Sequence, residues 1–344
     1  MKLRKAISFL LAVILIMGTA SVFTFAADEM REPVMGFEFG IGPETEGYAI
    51  DYRYYSPVKE NDKTKYPLVV WLHGMGNGLE VGGQLAASDI EMWATPEYQS
   101  RFAGGGAFIF APRSLEEKGL FWDNSLIYPV RAAIDDFIEK NKANIDLSRI
   151  YVGGYSMGGK MTLKMAVAYP EMFAAAFPIC PAWVPDTSAT AKLADMPVWL
   201  TSGTSDPLVN YFTWVMPTWK NIVATTNIPE SCRFSTLSFV AYPDGTPTWS
   251  QHHAWYAVNY DMFSSGNGDY PSMKTYDGNG NKVSLSYPDG MISWLSGFTS
   301  DYDGSPATDA GNSEAKSMGD TLDGFAAIIN FFSNFFEYIT TMLF

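Results

Sequence analysis

One serine lies between glycines at a position where the chain is expected to turn sharply. The segment 154–158 reads Gly-Tyr-Ser-Met-Gly; it follows the β-branched and aromatic run 150–152 and precedes the stretch 160–168, whose composition favours a helix. In such a strand–turn–helix unit, only glycine on either side leaves room for the neighbouring backbone. The spacing therefore predicts that Ser156 is the nucleophile of an acyl-transfer reaction, which also needs a base, an acid and oxyanion donors.

Histidine is scarce, and this restricts the choice of the base. The chain has three, His73, His252 and His253. His73 ends a predicted buried strand whose following loop usually supplies an oxyanion N–H, so we interpret it as structural. His252 and His253 follow the last predicted strand, and the base is expected to come after the serine and the acid in chain order. The alternative is that both are surface histidines in a polar loop.

The acid that orients the base is expected after a strand between the serine and the histidine pair. Asp206 fits, because it follows the apolar run 198–200 by a few residues. Asp244 is the rival, but the tripeptide Pro-Asp-Gly around it is explained by turn chemistry alone. The sequence thus predicts Asp206 as the acid.

The elements that position these residues indicate an α/β fold. Continuously apolar runs, typical of strands covered on both faces, alternate with helical patterns, of which 130–142 is the clearest. Residues 47–56 alternate in the manner of an antiparallel edge strand. We therefore expect a mostly parallel central sheet with helices on both faces. The apolar runs are 68–72, 107–111, 150–152, 174–179, 198–200 and 237–241.

The pattern changes after residue 264. Residues 272–286 predict a hairpin with Asp-Gly-Asn-Gly-Asn as its turn. A calcium loop is rejected, because Lys282 and Pro288 stand where such a loop needs Gly and Glu. Residues 300–320 have the composition of a flexible linker, and residues 321–344 predict an amphipathic helix that packs on the domain or contacts a partner or cell surface.

The N-terminal 26 residues have the features of a secretory signal peptide. They carry a basic start, a short apolar core at 6–17 and a small-x-Ala site that ends at Ala26. We therefore expect a secreted protein whose catalytic domain spans 27–299.

The composition narrows the partners and the redox chemistry. The formal net charge of −14 repels phosphate backbones, which argues against nucleic acid. Cys180 and Cys232 are the two cysteines and show no metal-ligand spacing, so we expect no metal and no cofactor. A bridge between them is one interpretation, and a buried apolar position for Cys180 is the other.

The order of these motifs resembles that of the α/β-hydrolase esterases. The resemblance rests on 65–74 (Lys-Tyr-Pro-Leu-Val-Val-Trp-Leu-His-Gly), on 145–159 with its serine turn, on 170–175 (Pro-Glu-Met-Phe-Ala-Ala) and on 252–255 (His-His-Ala-Trp). It spans about residues 45–300. The branch that it resembles most is that of secreted feruloyl or polyhydroxybutyrate depolymerase-like carboxylesterases, which are related to prolyl oligopeptidases.

The resemblance implies an α/β-hydrolase fold, a catalytic triad and the positions of its members. The family's catalytic histidine stands two positions before Ala-Trp, which selects His252 beside Ser156 and Asp206. The backbone N–H groups of Met75 and Met157 are implied as oxyanion donors. The hairpin and the C-terminal helix are departures from the family's core pattern.

The substrate class follows by analogy with that branch. An exported esterase with 10 Trp residues suits acylated polysaccharides, feruloyl or other aryl esters, or short-chain esters. Trp122 and Trp183 are expected to line the cleft, because they follow strands that lead to the catalytic edge. A serine peptidase of the prolyl-oligopeptidase type uses the same triad and is the first alternative. A catalytically silent binding or adhesion protein on the same fold is the second.

Overall fold

The computed structural model describes residues 36–86, 89–242, 245–248, 250–261, 273–285, 290–307 and the single positions 311, 313 and 318. These residues belong to one unit of the chain, 33–344. The predicted signal peptide and the predicted C-terminal helix lie outside the described residues. Within the described ranges, each helix is too short or too polar to span a bilayer.

A ten-stranded sheet built from the described strands carries the fold. Its spatial order is β1-β2-β4-β3-β5-β6-β7-β8-β9-β10. The strands are β1 Glu38–Ile41, β2 Asp51–Tyr55, β3 Tyr66–Leu72, β4 Phe108–Pro112, β5 Ile145–Tyr155, β6 Ala175–Ile179, β7 Trp199–Gly203, β8 Arg233–Leu237, β9 Met273–Asp277 and β10 Lys282–Val283.

The centre of the sheet is parallel, as predicted. Strands β4, β3, β5, β6, β7 and β8 pair in parallel, while β1 and β2 at one edge and β9 and β10 at the other pair antiparallel. Every residue of β3 and β4 is buried, which agrees with their continuously apolar sequences. The prediction of an α/β fold with a mostly parallel sheet is confirmed.

Helices fill the connections, and the direction of the connections reverses once. The chain runs from β3 outward to β4, whereas β5, β6, β7 and β8 follow one another in the opposite direction. Because parallel crossovers are right-handed, the β3–β4 connection lies on the face opposite to the later ones.

The α-helices are α1 Gly83–Ala86, α2 Pro96–Gln99, α3 Ile127–Asn141, α4 Met157–Ala168, α5 Thr187–Thr190, α6 Met216–Thr225, α7 Trp255–Asn259 and α8 Met291–Ser296. Single-turn 3₁₀ segments occupy Ile90–Ala94, Ala103–Gly105, Glu116–Lys118, Asn124–Leu126, Ala191–Leu193 and Gln251–His253, and a π-turn occupies Tyr211–Val215.

The sequence analysis predicted the wrong residues for the last parallel strand. The apolar run 237–241 predicts it, but β8 is Arg233–Leu237. Beyond the strand, Val240 and Ala241 are buried because a returning segment covers them: the Thr248 N–H donates to the Val240 carbonyl at 2.9 Å, and Ala241 bridges Pro247. The predicted hairpin is confirmed as β9 and β10, and the pairing of β9 with β8 makes it an extension of the sheet.

Part of the predicted flexible linker is instead packed. Tyr302 is buried, and its hydroxyl lies 3.1 Å from Nη2 of Arg131, a fully buried cation on α3. The same guanidinium group donates to the Ser305 carbonyl at 2.9 Å. The polar residues of 300–307 therefore supply acceptors to a buried charge, which composition alone does not reveal.

Cys180 and Cys232 are both buried and free, so the bridge between them is absent.

His73 is built into the fold at the end of β3. Its Nε2 accepts the Ser114 N–H at 3.0 Å, which leaves Nδ1 to donate to the Gly74 carbonyl at 2.7 Å. The Trp122 indole donates to the His73 carbonyl at 2.8 Å. Burial lowers the pKa of His73 to about 4, so the ring is neutral at pH 7. These bonds support the interpretation of His73 as structural.

The core around β5 requires a glycine at position 153. The rings of Trp71 and Phe177 stack with centroids 6.1 Å apart, and Phe177 pairs in register with Gly153 on the neighbouring strand. A Cβ on Gly153 would lie closer than 3.0 Å to the Phe177 ring, and Phe177 is fully buried.

We expect Gly153→Ala to lower the free energy of unfolding by about 3 kcal/mol, because overpacking forces a buried ring or strand to shift. Urea unfolding followed by tryptophan fluorescence measures the loss. Gly297→Ala is the matched control, since its φ is −76° and its added Cβ would meet only the Trp294 carbonyl at 3.3 Å. Equal stability of the two variants would contradict this account of the core.

We expect His73 to make the fold acid-sensitive. Its folded pKa is about 4, below the ordinary histidine pKa of 6.5, so the unfolded chain binds the proton more tightly and stability is lost as the pH falls through this window. The loss between pH 7 and pH 4 is about 3 kcal/mol from this group. Urea unfolding at both pH values should show that His73→Asn, although less stable at pH 7, loses less on acidification than wild type. An identical loss in both proteins would refute the assignment.

Candidate active site

Ser156 occupies a strained turn between β5 and α4. Its φ is 59° and its ψ is −118°, a conformation that costs free energy and persists only where the surroundings impose it. The glycines on either side face the end of β3. A Cβ on Gly154 or on Gly158 would come closer than 3.0 Å to the Leu72 carbonyl oxygen. The G-x-S-x-G spacing thus lets the serine turn pack directly on β3.

Asp206 and His252 form a buried pair. His252 Nδ1 lies 2.7 Å from Asp206 Oδ2. The other carboxylate oxygen, Oδ1, accepts the N–H groups of Leu208 and Val209 at 2.8 and 2.9 Å. With Nδ1–H donated to the carboxylate, Nε2 is the nitrogen left to accept a proton from a hydroxyl.

The serine turn and this pair meet through the end of β6. The Ser156 N–H donates to the Ile179 carbonyl at 2.9 Å. The next residue, Cys180, has its Sγ within 4.8 Å of side-chain atoms of both Asp206 and His252, and 3.8 Å from the His252 carbonyl oxygen. The three predicted residues therefore lie at the carboxyl edge of the sheet, at the ends of β5 and β7 and in the turn that returns to them.

The histidine turn reaches this edge because β7 ends in a glycine. A Cβ on Gly203 would come closer than 3.0 Å to the backbone of Gln251. The Gln251 side chain then fastens the turn, since it accepts the Ser205 N–H at 2.6 Å and donates to the Ser238 carbonyl at 2.8 Å.

Of the two histidines, His252 is the one that pairs with Asp206. The ring of His253 instead packs against Trp255, with centroids 4.6 Å apart. Burial and the neighbouring His252 lower the pKa of His253 to about 4. The rival acid, Asp244, lies outside the described residues.

The loop after β3, residues 73–78, is named here the β3 loop. It contains Met75, which is half-buried, and it begins where the first turn of α4 packs, since a Cβ on Gly158 would come closer than 3.0 Å to the His73 carbonyl oxygen. Side chains from other segments hold the loop: Tyr155 donates to Asn77 Oδ1 at 2.6 Å, Arg113 donates to the Gly78 carbonyl at 2.8 Å, and both carboxylate oxygens of Glu116 accept the Gly76 N–H at 2.9 and 3.1 Å.

The expected substrate contacts of Trp122 and Trp183 are corrected by the structure. Trp122 is fully buried, with its ring 4.9 Å from that of His73. Trp183 is 5% exposed, and the Lys164 ammonium lies 5.3 Å from its ring centroid. Both indoles follow strands that lead to the site, but they are packed beneath it and expose almost no face to a ligand.

Two residues of this region escaped the sequence analysis as parts of the site. Glu116 lies in a run of charged residues typical of a solvated turn, and Cys180 follows a strand as an ordinary small apolar residue would. Each is recognised by tertiary contacts that join segments far apart in the chain. No local motif marks either of them.

The described residues contain one group of potential metal ligands, Cys180, Asp206 and His252. Metal binding requires a deprotonated thiol, and burial beside Asp206 raises the pKa of Cys180 well above its usual value. The Asp206–His252 hydrogen bond also occupies Nδ1 and Oδ2. These atoms fit a proton-transfer pair better than a metal site.

The position of these residues within the sheet is one at which α/β proteins bind ligands. The connections reverse between β3 and β5, and ligands of open α/β sheets bind outside the carboxyl ends of the strands at such a point. Here the β3 loop follows one of these strands and Ser156 follows the other. The Ser156 hydroxyl and the His252–Asp206 pair therefore lie at the same edge of the sheet, and acyl transfer requires groups of these kinds.

Comparison with known proteins finds similarity to ester-hydrolysing enzymes over part of the chain. Residues 118–238 match the phospholipase/carboxylesterase family. The poly(3-hydroxyalkanoate) depolymerase C of Paucimonas lemoignei is 28% identical over 184 residues, which cover 52% of this chain and 39% of that protein. The crystal structure of a thermostable esterase is 29% identical with a TM-score of 0.55, covering 66% of this chain and 60% of that one.

The chain spans less than two thirds of the length of either relative. Within the shared part, however, the strand order, the serine turn and the family match point to the same superfamily. The chain has the α/β-hydrolase fold, and its matched part is similar to esterases with that fold.

Proposed function

We propose that the protein is a serine carboxylesterase with Ser156 as its nucleophile. The observation that carries the proposal is the buried His252–Asp206 hydrogen bond of 2.7 Å at the sheet edge where the strained Ser156 turn is located. A Ser–His–acid constellation of this kind activates a hydroxyl for attack on a carbonyl carbon. The related esterase and depolymerase support an ester as the substrate.

The mechanism follows from the hydrogen bonds. Asp206 holds His252 with Nδ1 protonated, so Nε2 removes the Ser156 proton as the hydroxyl oxygen attacks the ester carbonyl. The oxyanion of the tetrahedral intermediate accepts the N–H groups of Met75 and Met157. His252 returns its proton to the departing alcohol, which leaves an acyl-enzyme on Ser156. Water, deprotonated by His252, then releases the acid and restores the serine.

The surface around the site favours an uncharged substrate with apolar groups. The exposed large hydrophobic residues of the described chain include Leu79, Phe212 and Phe239, and each follows a strand that ends at the catalytic edge. The net charge of −14 repels polyanions. We therefore infer aryl, feruloyl or short-chain acyl esters, free or carried on a neutral polymer, and assign to these residues the contact that Trp122 and Trp183 do not supply.

We also infer that the protein is exported. The residues 1–26 carry the signal-peptide pattern, and the domain 27–299 would be the secreted catalytic part. The helix predicted at 321–344 is then available to contact a partner or the cell surface. Fractionation of cells that express the full chain, with and without 321–344, tests both inferences.

Ser156→Ala should reduce hydrolysis of p-nitrophenyl acetate and methyl ferulate by at least about 10³-fold, because the acyl-enzyme cannot form. A fluorophosphonate probe should label the wild type and not this variant. Ser188→Ala, at an exposed serine on α5, is the matched control and should keep full activity. Normal turnover by Ser156→Ala would refute the proposal. If the wild type cleaves a proline amide in preference to these esters, the protein is a peptidase that uses the same residues.

The adjacent histidines provide an internal comparison. His252→Asn should lower kcat by about 10³-fold or more, since the base is lost. His253→Asn should lower it by less than about tenfold, because this ring packs on Trp255 and His252 is the base in the proposed mechanism. Steady-state kinetics on p-nitrophenyl acetate measure both. The reverse order of losses would transfer the catalytic role to His253.

A further inference from the structure

We propose that Glu116 is a positioning residue for the oxyanion site: its carboxylate holds the β3 loop so that the Met75 N–H points into the crevice. The inference rests on the proposed function and extends it to a residue outside the triad. It concerns a side chain that comes from the turn after β4 and reaches across to the loop after β3.

The Glu116 side chain is buried, and both oxygens of its carboxylate contact the exposed Gly76. Glu116 is 4% exposed, and Oε1 and Oε2 lie 3.1 and 2.9 Å from the Gly76 nitrogen. Burying a carboxylate is unfavourable unless it is hydrogen-bonded. We therefore infer that the carboxylate is kept at this position for the hydrogen bond that it accepts. The N–H group that donates this bond belongs to Gly76, the residue directly after Met75.

The two peptide planes that flank Met75 are each held by a side chain. His73 Nδ1–H donates to the Gly74 carbonyl, and in a trans peptide that carbonyl and the Met75 N–H point in opposite directions. Glu116 fixes the following plane through the Gly76 N–H. Together the two bonds determine the direction of the Met75 N–H before any substrate is bound, which is the preorganisation that an oxyanion donor needs.

The surroundings make this bond sensitive to pH. Desolvation, with a smaller contribution from the charge of the adjacent Glu117, raises the pKa of Glu116 to about 7, although the hydrogen bond from the Gly76 N–H opposes the shift. The titratable or charged groups that face Glu116 in the described chain are Arg113 and Glu117 on the same segment, Tyr155 from β5 and the neutral His73. Above pH 7 the ionised carboxylate binds the N–H strongly; below pH 7 the neutral acid binds it more weakly.

The decisive variant is Glu116→Gln, which keeps the volume and one acceptor oxygen but removes the charge. We expect kcat on p-nitrophenyl acetate to fall about tenfold at pH 8 with KM changed by less than about twofold, since one oxyanion donor contributes about 10²–10³-fold. We also expect the rise in kcat near pH 7 that belongs to Glu116 to disappear. Glu116→Ala should lose more than Glu116→Gln.

Glu91→Gln is the matched control. Burial raises the pKa of Glu91 to about 7 as well, but this residue belongs to the separate turn Ile90–Ala94. It should keep the kcat and the pH profile of the wild type. If Glu116→Gln behaves like this control, the positioning role is wrong while the proposed esterase stands.

Amide hydrogen exchange gives a readout that does not depend on turnover. At pH 8, a peptide covering 73–78 should exchange faster in Glu116→Gln than in wild type, and equally fast in Glu91→Gln and wild type. Unchanged exchange in Glu116→Gln would overturn the clamp. Failure of the fluorophosphonate probe to label the wild type would instead overturn the proposed function, so the two failures are distinguishable.

Discussion

The close approach of the serine turn to the end of β3 is the constraint on which the site depends. Gly154 and Gly158 both face the Leu72 carbonyl, and a side chain at either position would push the two segments apart. This contact sets the distance between Ser156 and the β3 loop. It also brings the N-terminus of α4 next to the start of the β3 loop, so that one packing contact positions the proposed nucleophile and the proposed oxyanion donors.

The polar side chains around the crevice then hold what the packing has placed. Asp206 is surrounded by an imidazole N–H and two backbone N–H groups, whereas both oxygens of Glu116 share the Gly76 N–H. The two buried carboxyl groups thus have different surroundings and different tasks. One orients the proposed base, and the other holds the loop that carries a proposed oxyanion donor.

Much of the fold was predictable, since a strand covered on both faces has to be apolar throughout. The runs 68–72, 107–111 and 174–179 coincide with β3, β4 and β6 within a residue or two. The errors share one cause, which is burial by a distant segment. Residues 237–241 are apolar because a loop covers the second half of the run, and 300–307 look like a linker although they supply acceptors to the buried Arg131.

By itself, the sequence determined the parallel sheet, the position of the serine turn and the short list of residues that could serve it, because periodicity, glycine spacing and the count of histidines are local properties. The tertiary structure decided that His252 rather than His253 meets Asp206, that Trp122 and Trp183 lie beneath the site, and that Glu116 reaches the β3 loop. These outcomes depend on directions and distances between segments that lie far apart in the chain, such as the 46 residues between Asp206 and His252. Such relations arise only when the strands pack, and no pattern along the chain encodes them.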